Sequence, residues 1–229
     1  MGTVTCISGI DTDIGKTVAT GLMAKALLMQ GDSVITQKMV QTGCSGIAED
    51  ILRHRELMGV DLFSEDRSGV TCPHVFAKAC SPHLAAELEG KNIDIQVIEN
   101  STNILTTHFD HVLLEGAGGL LVPITHEMTF LDYLEKQGYP LILVSSPRLG
   151  SINHTLAGLE LAQGRGIEVK GIVYNCFVPG DSEIKRDSRS IFARYLAKYG
   201  FSPCVVDMEA ADTYFEQGKE FACLQLFQS

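Results

Sequence analysis

The sequence predicts an α/β fold in which helices cover both faces of a mostly parallel sheet. Short β-branched runs alternate with helical patterns along the chain. Two runs, Val112–Leu114 and Leu141–Val144, are apolar at every position, as expected of central strands that helices cover on both sides. A length of 229 residues with 45% hydrophobic content is enough for one large core. We therefore expect a single domain over residues 1–229.

The predicted elements follow one another as βαβ units. Strands are expected over Thr3–Ser8, Ser33–Lys38, His111–Glu115, Leu141–Ser145 and Val169–Tyr174, and helices over Thr17–Gln30 and Ile152–Gln163. The least periodic stretch, about Gly43–Pro82, is expected to form loops with a short helix around Asp50–Leu57. Loops of this kind could border a substrate site.

Composition argues against several classes of partner. The net charge is −10 and the basic residues are scattered, so we expect no nucleic-acid partner. The seven cysteines are odd in number and at least eight positions apart, which predicts reduced, mostly buried thiols. The chain has no apolar stretch of 18 residues and no leader pattern, so we expect no membrane partner and a cytoplasmic location.

The segment Gly9–Thr17 is a glycine-rich loop between the first strand and the first helix. Such a loop turns backbone N–H groups toward a polyphosphate, while Lys16 adds charge and the Thr17 hydroxyl can bind magnesium. This context favours a P-loop over an ordinary turn with an exposed lysine. Five residues separate Gly9 from Gly15, one more than the common spacing, which indicates a particular branch of P-loop enzymes.

Charged residues follow the strands at the edge of the sheet where ligands bind. Glu115 follows an apolar strand, where a carboxylate is costly unless it is paired or binds metal, so we interpret it as a magnesium ligand rather than a cap. Asp50 is a second candidate, with a helix cap as the alternative. Lys38 ends the second strand, at the same edge as Lys16, and two lysines there suit a doubly anionic reaction centre. The alternative is that Lys38 is only a solvated lysine at a strand end.

Two later segments are suited to binding small groups. The helix start at Gly150–Asn153 can bind a carboxylate, and the amide of Asn175 can contact a base edge. We find no Ser/His/Asp or Cys/His pattern and expect the histidines to be mainly surface or core residues.

In their order, these motifs resemble those of the dethiobiotin synthetase family. The resemblance is carried by Gly9–Thr17, Lys38–Gly43, Ser81–His83, Glu115–Gly119 and Leu149–His154, and it covers the chain to about Asn175. It implies ring closure of 7,8-diaminopelargonate with CO2 to give dethiobiotin, through a carbamate and its phosphorylated anhydride. It also implies ATP as co-substrate and Mg²⁺ as cofactor.

The resemblance implies a role for each matching residue. Lys16, Lys38 and Thr12 would be catalytic, and Thr42 would bind the diamine. Thr17, Asp50 and Glu115 would bind Mg²⁺. The nucleotide would be bound by Asp13, Ile14, Gly15, Lys16, Thr17, Val18, Glu115, Gly116, Ala117, Gly118 and Asn175. Gly150, Ser151, Ile152 and Asn153 of the neighbouring subunit would hold the substrate carboxylate, which implies a homodimer with composite sites.

The chain departs from the family pattern in three places. Met39 stands where the family often has proline, no tyrosine lies near Asp187, and Cys204–Asp207 replaces a proline-containing stretch near adenine. One alternative is a related P-loop amidoligase, whose added glutaminase domain has no room here. The other is a non-catalytic nucleotide switch, which carries a lysine early in the loop where this chain has Ile10 and Asp11.

Overall fold

The computed structural model describes residues 1–177, 181–215 and 219–228. The strands are β1 (Thr3–Gly9), β2 (Val34–Lys38), β3 (Gln41–Thr42), β4 (Val75–Phe76), β5 (His111–Gly119), β6 (Leu141–Ser145), β7 (Val169–Asn175) and β8 (Val205–Met208). The helices are α1 (Lys16–Gln30), α2 (Glu49–Met58), α3 (Ser64–Arg67), α4 (Pro82–Leu88), α5 (Ile95–His108), α6 (Phe130–Gln137), α7 (Ser151–Gly164), α8 (Ser182–Lys198), α9 (Ala211–Phe215) and a 3₁₀ turn (Leu224–Leu226).

Six of the strands form one sheet in the order β2-β5-β1-β6-β7-β8. Every neighbouring pair in it is parallel, which confirms the predicted sheet. Because parallel strands end at a common edge, the residues after β1, β2 and β5 come together there. The separate parallel pair of β3 and β4 lies in the stretch where only loops and a short helix were predicted.

The sheet is covered by helices on both faces, as predicted. Successive strand residues point to opposite sides, so Leu113 packs in one core and Leu114 in the other. One core lies between the sheet and helices α5 to α8, and the other lies against α1, α2 and the C-terminal segment. This two-sided burial explains why the central strands carry apolar residues at both alternating positions.

The packing of α2 on α1 depends on Gly21. A Cβ at that position would lie 2.6 Å from Leu57 Cδ1, so the two helices can approach this closely only because Gly21 has no side chain. The close approach holds the start of α2, with Asp50, beside the P-loop.

Most predicted elements are confirmed to within two residues, and the differences have local causes. β5 continues to Gly119 instead of ending at Glu115, because Gly119 pairs with Gly9 of β1. All seven cysteines are free, as predicted, but only Cys6, Cys72 and Cys223 are buried, and the other four are half-buried. Among the described residues, no helix is both long enough and apolar enough to cross a membrane.

Candidate active site

The P-loop leaves the first turn of α1 open. Gly15 caps the helix with φ 99°, and Asp13 also has a positive φ of 54°, a conformation that aspartate tolerates better than most residues. No side chain caps α1, so its first N–H groups point out of the helix without an internal acceptor. Lys16 Nζ donates to the backbone oxygen of Asp11 at 2.9 Å. The loop therefore presents the donors that a phosphate requires.

Lys38 lies at the centre of a cluster of oxygen atoms at the edge of the sheet. Its Nζ is 2.7 Å from Glu115 Oε1 and 2.6 Å from Asp50 Oδ2, and it donates to the backbone oxygen of Gly116 at 3.1 Å. The Thr17 hydroxyl lies 3.1 Å from Asp50 Oδ1 and 3.2 Å from Glu115 Oε1. The structure thus brings together Lys38 and the three predicted magnesium ligands, and Asp50 is not a side-chain cap of α2.

Lys38, Glu115 and the neighbouring Lys16 are buried, and burial together with nearby charges shifts their pKa values. Burial lowers the pKa of Lys38, but Glu115 and Asp50 outweigh it and raise that pKa above its ordinary value. Burial raises the pKa of Glu115, but Lys38 and His54 outweigh it and hold that pKa well below the usual range. Burial and the charge of Lys38 lower the pKa of Lys16 to about 8. Lys38 and Glu115 therefore form a stable ion pair at neutral pH.

Two residues that the sequence did not indicate hold this cluster. His54, which belongs to the group expected to be mainly core or surface, is fully buried with Nε2 2.9 Å from Glu115 Oε2. The backbone N–H of Asp50 donates to Gln41 Oε1 at 3.3 Å, which ties the start of α2 to β3. The spacing of His54 four residues after Asp50 places both on one face of α2 and is the pattern that could have identified it.

The start of α7 also lacks a side-chain cap. Gly150 caps it with φ 91°, whereas a side-chain oxygen caps each of α5, α6 and α8. Ser151 is buried with its hydroxyl 3.3 Å from Ser146 Oγ, Ile152 is half-buried and Asn153 is exposed. A cleft of about 480 Å³ separates α7 from the P-loop, and its walls include Ile10, Thr12, Leu120, Val122 and His154.

Asn175 braces the P-loop from the other side. Its Nδ2 donates to the backbone oxygen of Ile14 at 2.9 Å, and its Oδ1 accepts from the N–H of Phe177 at 3.2 Å. A Cβ on Gly15 would lie 2.5 Å from the same Nδ2, so the loop could not pack here with a larger residue. Met208 of β8, directly after the Cys204–Asp207 stretch, lies beside them.

The remaining predicted residues lie around the cluster but outside it. Thr12 is exposed in the P-loop, Thr42 is half-buried on β3, and Val18 is half-buried on α1. Gly116, Ala117 and Gly118 continue β5 beyond Glu115. Met39, which stands where the family often has proline, is buried. Its backbone N–H donates to the backbone oxygen of Glu115, a bond that proline could not make.

Comparison of the fold with solved structures shows its architecture. A ParA family ATPase from Chlorobium tepidum TLS matches with a TM-score of 0.56 and 16% identity over 99% of this chain and 93% of that one. The structure of pNOB8 ParA bound to nonspecific DNA matches with a TM-score of 0.53 and 12% identity over 90% of this chain and 79% of that one. At these identities the likeness confirms the P-loop NTPase-like fold only.

Comparison of the sequence shows the family. A family model described as an AAA domain matches residues 4–199. Proteins named ATP-dependent dethiobiotin synthetase BioD 2 are 53% identical in Pasteurella multocida, over 87% of this chain and 93% of theirs, and 59% identical in Haemophilus influenzae, over 76% and 92%. The ATP-dependent dethiobiotin synthetase BioD of Chlorobaculum tepidum is 51% identical over 95% of this chain and 91% of its own. Motifs, fold and relatives agree, and the chain belongs to the ATP-dependent dethiobiotin synthetase family.

Proposed function

We propose that the protein converts 7,8-diaminopelargonate, CO2 and ATP into dethiobiotin, ADP and phosphate. One amine takes up CO2 to form a carbamate and releases a proton. The carbamate oxygen attacks the γ-phosphorus of ATP, and ADP leaves. The second amine then attacks the carbonyl of this mixed anhydride, which closes the ring and expels phosphate. The cluster of Lys38, Asp50, Glu115 and Thr17 beside the P-loop is the observation that carries the proposal.

The cluster suits Mg²⁺ by the chemistry of its donors. The carboxylates of Asp50 and Glu115 both lie within hydrogen-bond distance of the Lys38 ammonium, and the Thr17 hydroxyl contacts both carboxylates. Oxygen atoms therefore already gather around a cation at this point. Mg²⁺ prefers oxygen ligands and binds through one or two carboxylates together with substrate phosphates. Thr17, Asp50 and Glu115 would hold it, and it would offset the negative charge of the transferring phosphoryl group.

The two lysines would act on different anions. Lys16 begins α1 in the P-loop and is suited to the β and γ phosphates of ATP. The raised pKa of Lys38 keeps it protonated at neutral pH, so it is suited to stabilising the carbamate and its phosphorylated form rather than removing a proton. The chemistry needs no protein nucleophile, because alignment and positive charge lower the barrier.

We propose that the diamine binds in the cleft between the P-loop and α7, whose walls include Thr12, and that Thr42 of β3 contacts its reactive end. The distal carboxylate would bind the uncapped start of α7, at Gly150 to Asn153, from the neighbouring subunit. A homodimer would also cover Leu121 and Leu149, two large apolar side chains that are exposed in one protomer. Residues 1–229 would then act as one domain in a composite-site dimer, and its seven free thiols suit the cytoplasm.

The proposal is tested with the purified protein, ATP, Mg²⁺, bicarbonate and the diamine. We expect dethiobiotin and ADP in equal amounts, with ADP release that depends on the diamine. Lys16→Ala should remove turnover while leaving the protein folded, whereas Lys136→Ala, at an exposed ion pair on α6, should not change it. ADP release without dethiobiotin would contradict the proposal and favour a nucleotide switch.

A further inference from the structure

His54 holds the oxygen of Glu115 that faces away from the cation cluster. Glu115 Oε1 faces Lys38 and Thr17, whereas Oε2 lies 2.9 Å from His54 Nε2. The other ring nitrogen, Nδ1, lies 2.9 Å from Thr36 Oγ1. Both His54 and Glu115 are fully buried, so water does not reach these contacts. The orientation of the Glu115 carboxylate is therefore set by His54 on one side and the cluster on the other.

The hydrogen-bond directions in this chain of residues are determined by its two ends. A carboxylate only accepts, so the hydrogen between His54 and Glu115 belongs to His54 Nε2. A guanidinium only donates, and Arg55 Nη1 lies 2.8 Å from Thr36 Oγ1, so this oxygen accepts from Arg55. In the neutral tautomer of His54 that carries its hydrogen on Nε2, Nδ1 is an acceptor, and the single hydroxyl proton of Thr36 is donated to it. Hydrogen bonds thus run in one direction from Arg55 through Thr36 and His54 to Glu115.

Arg55 is itself fixed by buried partners. Its Nε and Nη2 each lie 2.8 Å from a carboxylate oxygen of Asp66, and the Thr71 hydroxyl donates to that carboxylate at 2.8 Å. The Phe63 ring lies 4.9 Å from the guanidinium carbon. A buried, bidentate and stacked arginine has little freedom to move. The chain of hydrogen bonds that ends at Glu115 therefore begins at a rigid group.

The fold gives this arrangement a simple origin. Thr36 and Lys38 alternate along β2 and so lie on the same face of that strand. Asp50 and His54 lie one turn apart on α2, which packs on that face. On the Oε1 side of Glu115, β2 thus supplies Lys38 and α2 supplies Asp50, which pairs with Lys38. On the Oε2 side, α2 supplies His54 and β2 supplies Thr36, which contacts His54.

We propose that His54 is a positioning residue that holds Glu115 Oε2 so that Oε1 is the oxygen presented to the cation. The proposal rests on the proposed function, in which Glu115 binds Mg²⁺. A hydrogen bond to the carboxylate oxygen that does not bind the metal orients the carboxylate and strengthens metal binding. Without the donor, Oε2 would be buried without a partner, and the carboxylate would turn toward Lys38 and Thr17 to satisfy it.

The test compares His54→Leu, which removes both nitrogens at similar size, with His54→Gln, whose amide nitrogen can replace Nε2. Mn²⁺ is titrated into each protein saturated with ADP and followed by electron paramagnetic resonance. We expect His54→Leu to bind Mn²⁺ at least ~10-fold more weakly and His54→Gln to recover most of the affinity. ADP affinity without metal should be the same in all three proteins. Equal Mn²⁺ affinity in His54→Leu and the wild type would overturn the proposal.

A pair of matched threonine variants separates orientation from packing. Thr36→Val removes the hydroxyl that links Arg55 to His54, and it should therefore weaken Mn²⁺ binding. Thr102→Val removes an equally buried hydroxyl, which donates to Gln37 Oε1 at 2.8 Å on the other face of β2, and should leave Mn²⁺ binding unchanged. Equal weakening in both would indicate general loosening and refute the proposal.

Glu115→Gln distinguishes failure of this inference from failure of the proposed function. If Glu115→Gln binds Mn²⁺ as tightly as the wild type, the magnesium assignment is wrong and the inference falls with it. If Glu115→Gln binds weakly while His54→Leu and Thr36→Val bind normally, the magnesium site stands and only the positioning role of His54 is refuted.

Discussion

Replacing Lys38 with methionine should show how much the ion pairs of Lys38 with Glu115 and Asp50 stabilise the fold. The change removes an ammonium that lies 2.7 Å from Glu115 Oε1 and 2.6 Å from Asp50 Oδ2, and it leaves Glu115 buried with its cationic partner lost. Breaking a buried ion pair from one side costs about 3–5 kcal/mol of unfolding free energy. For a domain of this size that corresponds to a fall in Tm of about 6–20 °C.

Mg²⁺ should partly reverse this loss of stability. Lys38 competes with any other cation for the same carboxylate oxygens, so Lys38→Met leaves two acidic groups free to bind metal. We expect Mg²⁺ to raise the Tm of Lys38→Met more than that of the wild type. Dethiobiotin formation should still fall at least ~100-fold, because one preorganised charge on the developing anion is lost.

Calorimetry with and without Mg²⁺ measures the first effect, and a dethiobiotin assay with nucleotide titration measures the second. Lys136→Met is the matched control, since it breaks a 2.9 Å ion pair with Glu99 at an exposed site, where such pairs contribute at most about 1 kcal/mol. Equal unfolding free energies of Lys38→Met and Lys136→Met would refute the inference that the ion pairs of Lys38 stabilise the fold. Loss of ATP affinity with normal diamine affinity in Lys38→Met would show that the lysine roles are reversed.

Three further predictions concern the metal, the dimer and acid stability. Asp50→Asn should raise the Mg²⁺ concentration for half-maximal activity, and an unchanged requirement would contradict its role as a ligand. Asn153→Asp should be nearly inactive, because the added charge repels the substrate carboxylate. If the sites are composite, mixing this variant with Lys38→Met should restore roughly a quarter of wild-type activity, because half the dimers would each keep one intact site. No recovery after verified subunit exchange would exclude composite sites. Burial raises the pKa of Asp66, but hydrogen bonds from Arg55 outweigh it and lower that pKa, so Asp66 stabilises the fold at neutral pH and this contribution is lost as pH falls below about 4. Urea unfolding should therefore show that the deficit of Asp66→Asn shrinks between pH 7 and pH 3, and a constant deficit would contradict the pairing.

Burial at the start of α7 decides which residue can carry an added charge in the dimer test. Ser151, the first residue of the helix, is only 3% exposed and contacts Ser146. A charged residue there would be buried and would destabilise the helix start for reasons unrelated to the substrate. Asn153 is exposed two residues later, so a charge at that position tests the anion site alone.

The sequence by itself determined the parallel sheet, the P-loop and the residues that meet at the edge of the sheet. Alternating β-branched and helical patterns identified β1, β2, β5, β6 and β7, because burial on both faces leaves apolar residues at consecutive strand positions. Glu115 was recognisable as a functional residue because a carboxylate is rarely tolerated after so apolar a strand without a partner.

Only the tertiary structure decided how Glu115 is held. Two elements supply the hydrogen bonds behind Glu115: Thr36 lies on β2, and His54 and Arg55 lie on α2. No local sequence pattern connects the two elements, and the directions of these side chains depend on how α2 packs on β2. In the same way, Asn175 was expected at adenine, yet packing also makes it a brace for the backbone of Ile14. Hydrogen bonds between elements depend on distances of a few tenths of an ångström, which the order of residue types along a chain does not specify.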